Sequence, residues 1–279
     1  MARQQTIEWR GDWSVEAPAD IGYAWAPNEG GDYVPAADGF EWRDLGVDAA
    51  SNGVLGVTRG RVADRSRASE WRALDLDFNF LYILRGSVSI EDENGDRTHL
   101  DTGGSAWHGR NARHRFLDPS DDLEVFHVTS PAWDRTNVAG NGSESTVPAP
   151  IYTHEGPDDY IVGNGPRKFF AYRDLRTREV TDNRIHIHVV RSTVPGPGTG
   201  WHYHTMAQLF LVIEGQASLQ VEGQPRYPIT WGDAMCIGRG PNMRHDLGTH
   251  TSDYGCIEIC VPGDYETIAV DPPAGAIPG

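Results

Sequence analysis

Cysteine is scarce in this 279-residue chain: there are three, Cys236, Cys256 and Cys260, all in the last fifth. An odd, clustered set does not build the bridge framework that staples small secreted domains, so reduced and buried thiols are expected. Long apolar runs are also lacking. No stretch approaches the ~20 residues that a membrane helix requires, and the opening MARQQTIEWRGDW has no basic-then-apolar leader pattern. A cytoplasmic protein without a membrane partner is the expectation. Basic residues are outnumbered, 24 against 40 acidic, giving a formal net charge of -16. That charge repels phosphate backbones, which argues against a nucleic-acid partner and serves solubility. Helical periodicity is missing as well, since no segment keeps a 3.6-residue amphipathic repeat over three turns.

What the chain does contain is β texture, and contains it twice. Runs such as LYILRGSVSIE, IHIHVVRSTV, LFLVIEGQASLQV and YGCIEICV are rich in Val, Ile, Leu and Phe and are separated by Gly, Asp, Asn and Pro. FEWRDLGVDAASNG at 40–53 resembles FAYRDLRTREVTDN at 170–183, and the region of 78–95 matches that of 208–223 in pattern. The shift is 130 from Phe40 to Phe170, 129 from Gly86 to Gly215 and from Gly103 to Gly232, and 131 from His114 to His245. So long a period means domain duplication rather than a solenoid. Two domains follow, 1–147 and 148–279, joined through the polar, proline-ended segment 141–150. An arm at 1–38, with Trp9, Trp13, Tyr23, Trp25 and Tyr33, has no counterpart of equal length and is expected to cover a barrel edge or the partner subunit of a homodimer.

From Gly196 the chain reads G-PGTGW-H-Y-H-TMA-Q-LFLVIE-G, ending at Gly215. This resembles the first motif of the cupin family, with Gln208 where the family has glutamate. GDAMCIGRGPNMRH at 232–245 resembles the second, with Gly238 for its proline and two extra residues before His245. The resemblance implies an all-β fold of two tandem double-stranded β-helix (jelly-roll) barrels. It also implies a metal site of His202, His204, Gln208 and His245 in the second barrel. Strand geometry agrees: side chains alternate, so positions 202 to 212 taken in steps of two share one face if the strand is regular. Met206, Phe210 and Val212 would then wall the pocket, with Met243 and Leu247 from a paired strand. The donors suit one divalent transition metal, Fe(II) first, with Zn, Ni, Mn or Cu as alternatives. A second pair on one strand, His186 and His188, lacks the framework and is expected to be structural.

In the first copy, counting back from Gly86 sets Ala73, Asp75 and Asn79 opposite His202, His204 and Gln208, with His114 opposite His245. One imidazole survives there, so a metal-free barrel is expected, with Trp71 and Trp107 in the core or an interface. A neutral amide ligand leaves a bound ion its full double charge, which favours anionic substrates and offers no base of its own. The resemblance implies a metal-dependent enzyme. The first reading is a non-haem dioxygenase, an oxidoreductase acting on a small aromatic or enolisable oxo compound with O2. The others are a redox-neutral cyclase or isomerase and a non-catalytic binding protein.

Overall fold

A computed structural model describes residues 21–133, 149–164 and 167–279. Most of the expected linker, 141–148, and the start of the aromatic arm, with Trp9 and Trp13, lie outside the described residues. Two compact units form, one of residues 31–156 and one of 157–279 together with the segment ending at Gly30. Among the described residues, helix is confined to the single turns Val47–Ala50, Arg65–Ala68 and Thr177–Thr181.

In the second unit a seven-stranded sheet runs in the order Ala24–Ala26, Ala234–Ile237, Ala207–Glu214, Gly255–Val261, His186–Ser192, Phe170–Asp174, Ile161–Val162. A five-stranded sheet runs Arg226–Thr230, Gln216–Val221, His245–His250, His202–His204, Thr267–Ala269. The core cluster draws on both sheets, with Phe210, Val212 and Met235 from the first and Leu219, Val221 and Ile229 from the second. Burying each such side chain contributes about 1.5–3 kcal/mol. The first unit repeats the plan: Phe78–Arg85 and Glu124–Ser130 hold the places of Ala207–Glu214 and Gly255–Val261. Gly86 and Gly215 close equivalent turns in the left-handed region, at φ 72° and 61°. A Cβ there would meet Ser120 Oγ at 2.1 Å or the Tyr254 amide at 2.6 Å, so only glycine fits.

Each seven-stranded sheet gains an edge strand from outside the duplicated motif. Ala24–Ala26 pairs with Ala234–Ile237, and Trp25 stacks on Tyr227 at 4.9 Å. In the first unit Ile151–Thr153 pairs with Ser105–His108. These additions cover hydrogen-bonding edges that would otherwise stand open.

Candidate metal centre

One strand expected to be regular is broken. His202–His204 ends at a bend through Thr205 and Met206, and Ala207–Glu214 then begins in the other sheet. The histidines and Gln208 therefore reach the interior from two sheets, not from one face of one strand. A cavity inside the second unit opens to solvent, and His202, Gln208 and His245 line it. Phe210 and Leu247 line it too. Met206, Val212 and Met243 do not: Met206 sits in the bend, while Val212 and Met243 pack with the core cluster. Gln208 and Phe210 keep the parity of His202 across the bend, and Val212 shares their face but packs in the core cluster without lining the cavity.

His202 pairs directly across from His245, and one nitrogen from each of His202, His204 and His245 lies within 4.8 Å of the others. The far nitrogens are fixed. His202 Nδ1 donates to the Gly200 carbonyl at 2.7 Å, and His245 Nδ1 donates to the Met243 carbonyl at 3.0 Å. His204 Nδ1 bonds with the Thr267 hydroxyl at 2.9 Å. A ring that donates from Nδ1 presents a lone pair at Nε2. The Nε2 atoms of His204 and His245 are buried without a partner, a costly arrangement that a metal ion would satisfy. All three rings are held neutral, the form that ligates. Burial is the main cause for each: His204 is pushed down to about 3, with His202 adding to the effect, while His202 is lowered and His245 lies well below the usual range. The residues present therefore fit a divalent ion.

Gln208 has an unexpected neighbour. Its Nε2 donates to a carboxylate oxygen of Glu258, whose other oxygen accepts from His188 Nε2 at 2.8 Å. With the amide nitrogen so engaged, the carbonyl oxygen of Gln208 is the atom left to offer an ion. Burial alone would raise the Glu258 pKa, but His188 and Gln208 together hold it well below the usual carboxylate range. The negative charge missing at position 208 is thus present one residue further out. This corrects the expectation that the site would keep an undiluted double charge. Glu258 has a sequence signal in YGCIEICV, a lone carboxylate in a strand that the structure buries at every position. Such a group needs partners. Sequence reasoning misses both Glu258 and the cavity-lining cation Arg167. At the shift of 130 its counterpart is Ala37, so the two copies differ there.

The first unit carries a different set. Strand pairing places Arg72, not Ala73, across from His114, with reciprocal amide–carbonyl bonds of 2.9 Å. The copies are out of step by one residue here, since seven positions separate Arg72 from Asn79 and six separate His202 from Gln208. The Arg72 guanidinium is buried over the Phe116 ring at 4.6 Å and donates to the Ala68 carbonyl at 2.7 Å. A fixed cation where the other unit has the His202 imidazole repels a second cation. His114 stacks on His108 at 3.9 Å, and Asn79 bonds His127 at 2.8 Å, as Gln208 bonds Glu258. Asp75 is drawn outward to Arg110.

A β-barrel of two facing sheets with an imidazole cluster inside is the jelly-roll architecture. A family model described as cupin domain matches residues 190–262, the stretch that holds all four expected ligands. No curated protein matches. Among solved structures, Bacillus subtilis oxalate decarboxylase, studied for its Mn(II) centres, is 15% identical over 90% of this chain and 80% of that one, with a TM-score of 0.63. YlbA from E. coli is 12% identical over 92% and 96%, at 0.61. Lactobacillus farciminis oxalate decarboxylase, in a formate complex, is 13% identical over 88% of each, at 0.60. At such identities the likeness shows the fold. The family model thus marks 190–262 as resembling a cupin domain, and the chain folds as two barrels of the kind seen in these structures.

Proposed function

We propose that the second unit is the working half of a metal-dependent non-haem dioxygenase, taking a small anionic aromatic or enolisable oxo compound, with Fe(II) as its metal. The observation that carries this reading is the imidazole cluster, with buried lone pairs lacking partners, of which His202 and His245 line a cavity that Arg167 also lines. Arg167 supplies a bidentate donor for a carboxylate or enolate, and Phe170, Phe210 and Leu247 supply apolar contact for a ring or chain. Bound at the imidazoles, the ion would supply Lewis acidity and, as Fe(II), one-electron chemistry towards O2.

The other wall groups favour the oxygenase over a cyclase or isomerase. Removing a substrate proton at neutral pH calls for a base that titrates near neutrality. Burial pushes Tyr172 and Cys256 up to about 12, and Tyr254 well above its usual range. Glu258 and the imidazoles are driven the other way. None of these is poised as a base, which suits a substrate that arrives already ionised. The test is oxygen consumption by the Fe(II)-loaded full chain with catechols, β-diketones and hydroxy acids. Uptake coupled to loss of an anionic member supports the reading. Conversion without oxygen uptake, or binding without conversion, would sink it in favour of a redox-neutral enzyme or a binding protein.

A further inference from the structure

A second cluster stands apart from the three imidazoles. We propose that His186, His188 and Cys260 form a distinct binding site for a thiophilic divalent ion, Zn(II). One donor atom from each lies within 4.8 Å of the others. Cys260 and His186 are direct cross-strand partners, and His188 follows two residues along the same face. The Nδ1 atoms of both histidines are buried and have no partner, and His188 is 2% exposed. Their far nitrogens face carboxylates: His188 Nε2 lies 2.8 Å from Glu258 and His186 Nε2 lies 3.7 Å from Asp174. A carboxylate on the far nitrogen is the arrangement that orients a metal-bound imidazole and raises its basicity.

The electrostatics agree with the geometry. Burial, with His188 adding to it, pushes His186 down to about 4, so the ring is neutral and able to ligate. Burial also raises the Cys260 thiol well above its ordinary range, so without an ion the thiol keeps its proton and two buried ring nitrogens of the cluster stand without partners. Binding Zn(II) would displace the thiol proton to solvent, one proton per ion and no change of oxidation state, and would pair both nitrogens. Zinc holds nitrogen at ~2.0–2.1 Å and sulfur at ~2.3 Å, which sets its donors about 3.5 Å apart, so small rotamer shifts close the cluster. The first unit serves as a built-in control. Register places Gly56, Thr58 and Thr129 at the positions of His186, His188 and Cys260, so this donor set is peculiar to the second unit.

Two nitrogens and one sulfur distinguish this site from the all-nitrogen cluster of His202, His204 and His245, so the two can be read separately. The probe is Co(II), added to metal-free full-length protein as a zinc substitute. The proposal expects a near-ultraviolet thiolate-to-cobalt charge-transfer band with the intensity of one thiolate ligand per chain, saturating at one equivalent in His245→Ala, where the all-nitrogen cluster is disabled. The band should persist in His245→Ala, Cys236→Ala and Cys256→Ala and vanish in Cys260→Ala and in the near-isosteric Cys260→Ser. Absence of the band from wild-type protein, which needs no variant to fold, would overturn the proposal. So would its survival in Cys260→Ser or its loss with His245. Failure of the dioxygenase reading would leave all of these results unchanged.

Discussion

Gln208→Glu restores the carboxylate that the family motif carries, and the structure gives it a consequence that the sequence does not reveal. In the wild type the amide of Gln208 donates to Glu258. The introduced carboxyl has no such donor and faces an existing negative charge. That loses a hydrogen bond to a charged group, about 1.5–3 kcal/mol, and sets two carboxylates ~3 Å apart. With both ionised, the repulsion is about 5 kcal/mol at an effective dielectric near 20. Binding a proton is cheaper. A carboxyl with an unfolded pKa of about 4.3 costs about 4 kcal/mol to keep protonated at pH 7 and about 1 kcal/mol at pH 5, and the protonated form regains a hydrogen bond to Glu258. The sign follows from a folded pKa raised above the unfolded one: the penalty is absent below the unfolded value and grows as pH rises. Urea unfolding of metal-free Gln208→Glu should therefore show a deficit of about 3–4 kcal/mol relative to wild type at pH 7, shrinking to about 1 kcal/mol at pH 5. Adding Glu258→Gln restores one carboxylate facing one amide and should recover more than half of the deficit. A divalent ion would stabilise both carboxylates, so apparent metal affinity should rise in the single variant. Equal stability of Gln208→Glu and wild type at pH 7 would refute the Gln208–Glu258 pairing on which the reasoning rests.

Two other predictions concern the cavity cation and the first barrel. Arg167→Gln should weaken binding of a small dianion such as oxalate to metal-loaded protein about tenfold, the loss of ~1.4 kcal/mol from a half-exposed charged contact, with metal content unchanged; calorimetry that finds unaltered affinity would remove Arg167 from the site. Burial, aided by His127 and Arg72, lowers His108 from 6.5 to about 3, so this ring favours folding above pH 6.5 and loses that contribution as pH falls towards 3. Metal-free protein should lose about 2 kcal/mol more stability than a His108→Gln variant between pH 7 and pH 5, read from urea midpoints; parallel losses would show that His108 is not buried as a neutral ring.

How far the sequence could be read depended on whether the information was local. Strands such as Ala207–Glu214 and Gly255–Val261 announce themselves through β-branched and apolar runs bounded by glycine, and a constant shift reveals the duplication without any knowledge of contacts. The three imidazoles were legible because their spacing within each motif is short and the turn glycines anchor it. Pocket walls were read less well. Met206 falls in the bend at Thr205–Met206, which a strand unbroken from 202 to 212 does not allow for, and Val212, on the same face as Phe210, belongs to the core cluster, a matter of depth that alternation does not encode. A single extra residue between Arg72 and Asn79 likewise turned the counterpart of His202 into an alanine when it is a buried arginine. Glu258 and Arg167 reach the cavity from segments 50 and 35 residues from Gln208 and His202, by subtraction of their numbers, so only the folded barrel brings them there.

Metal binding on His202, His204 and His245 of the second barrel, and not in the first, is open to a direct measurement. Mn(II), a hard ion that the thiol-containing cluster has little affinity for, isolates this site from the other. Free Mn(II) measured by electron paramagnetic resonance during titration of the metal-free full chain should show one equivalent bound by wild type and by His114→Ala, and none by His204→Ala. Full binding by His204→Ala, with loss in His114→Ala, would contradict this assignment and move the metal to the first barrel.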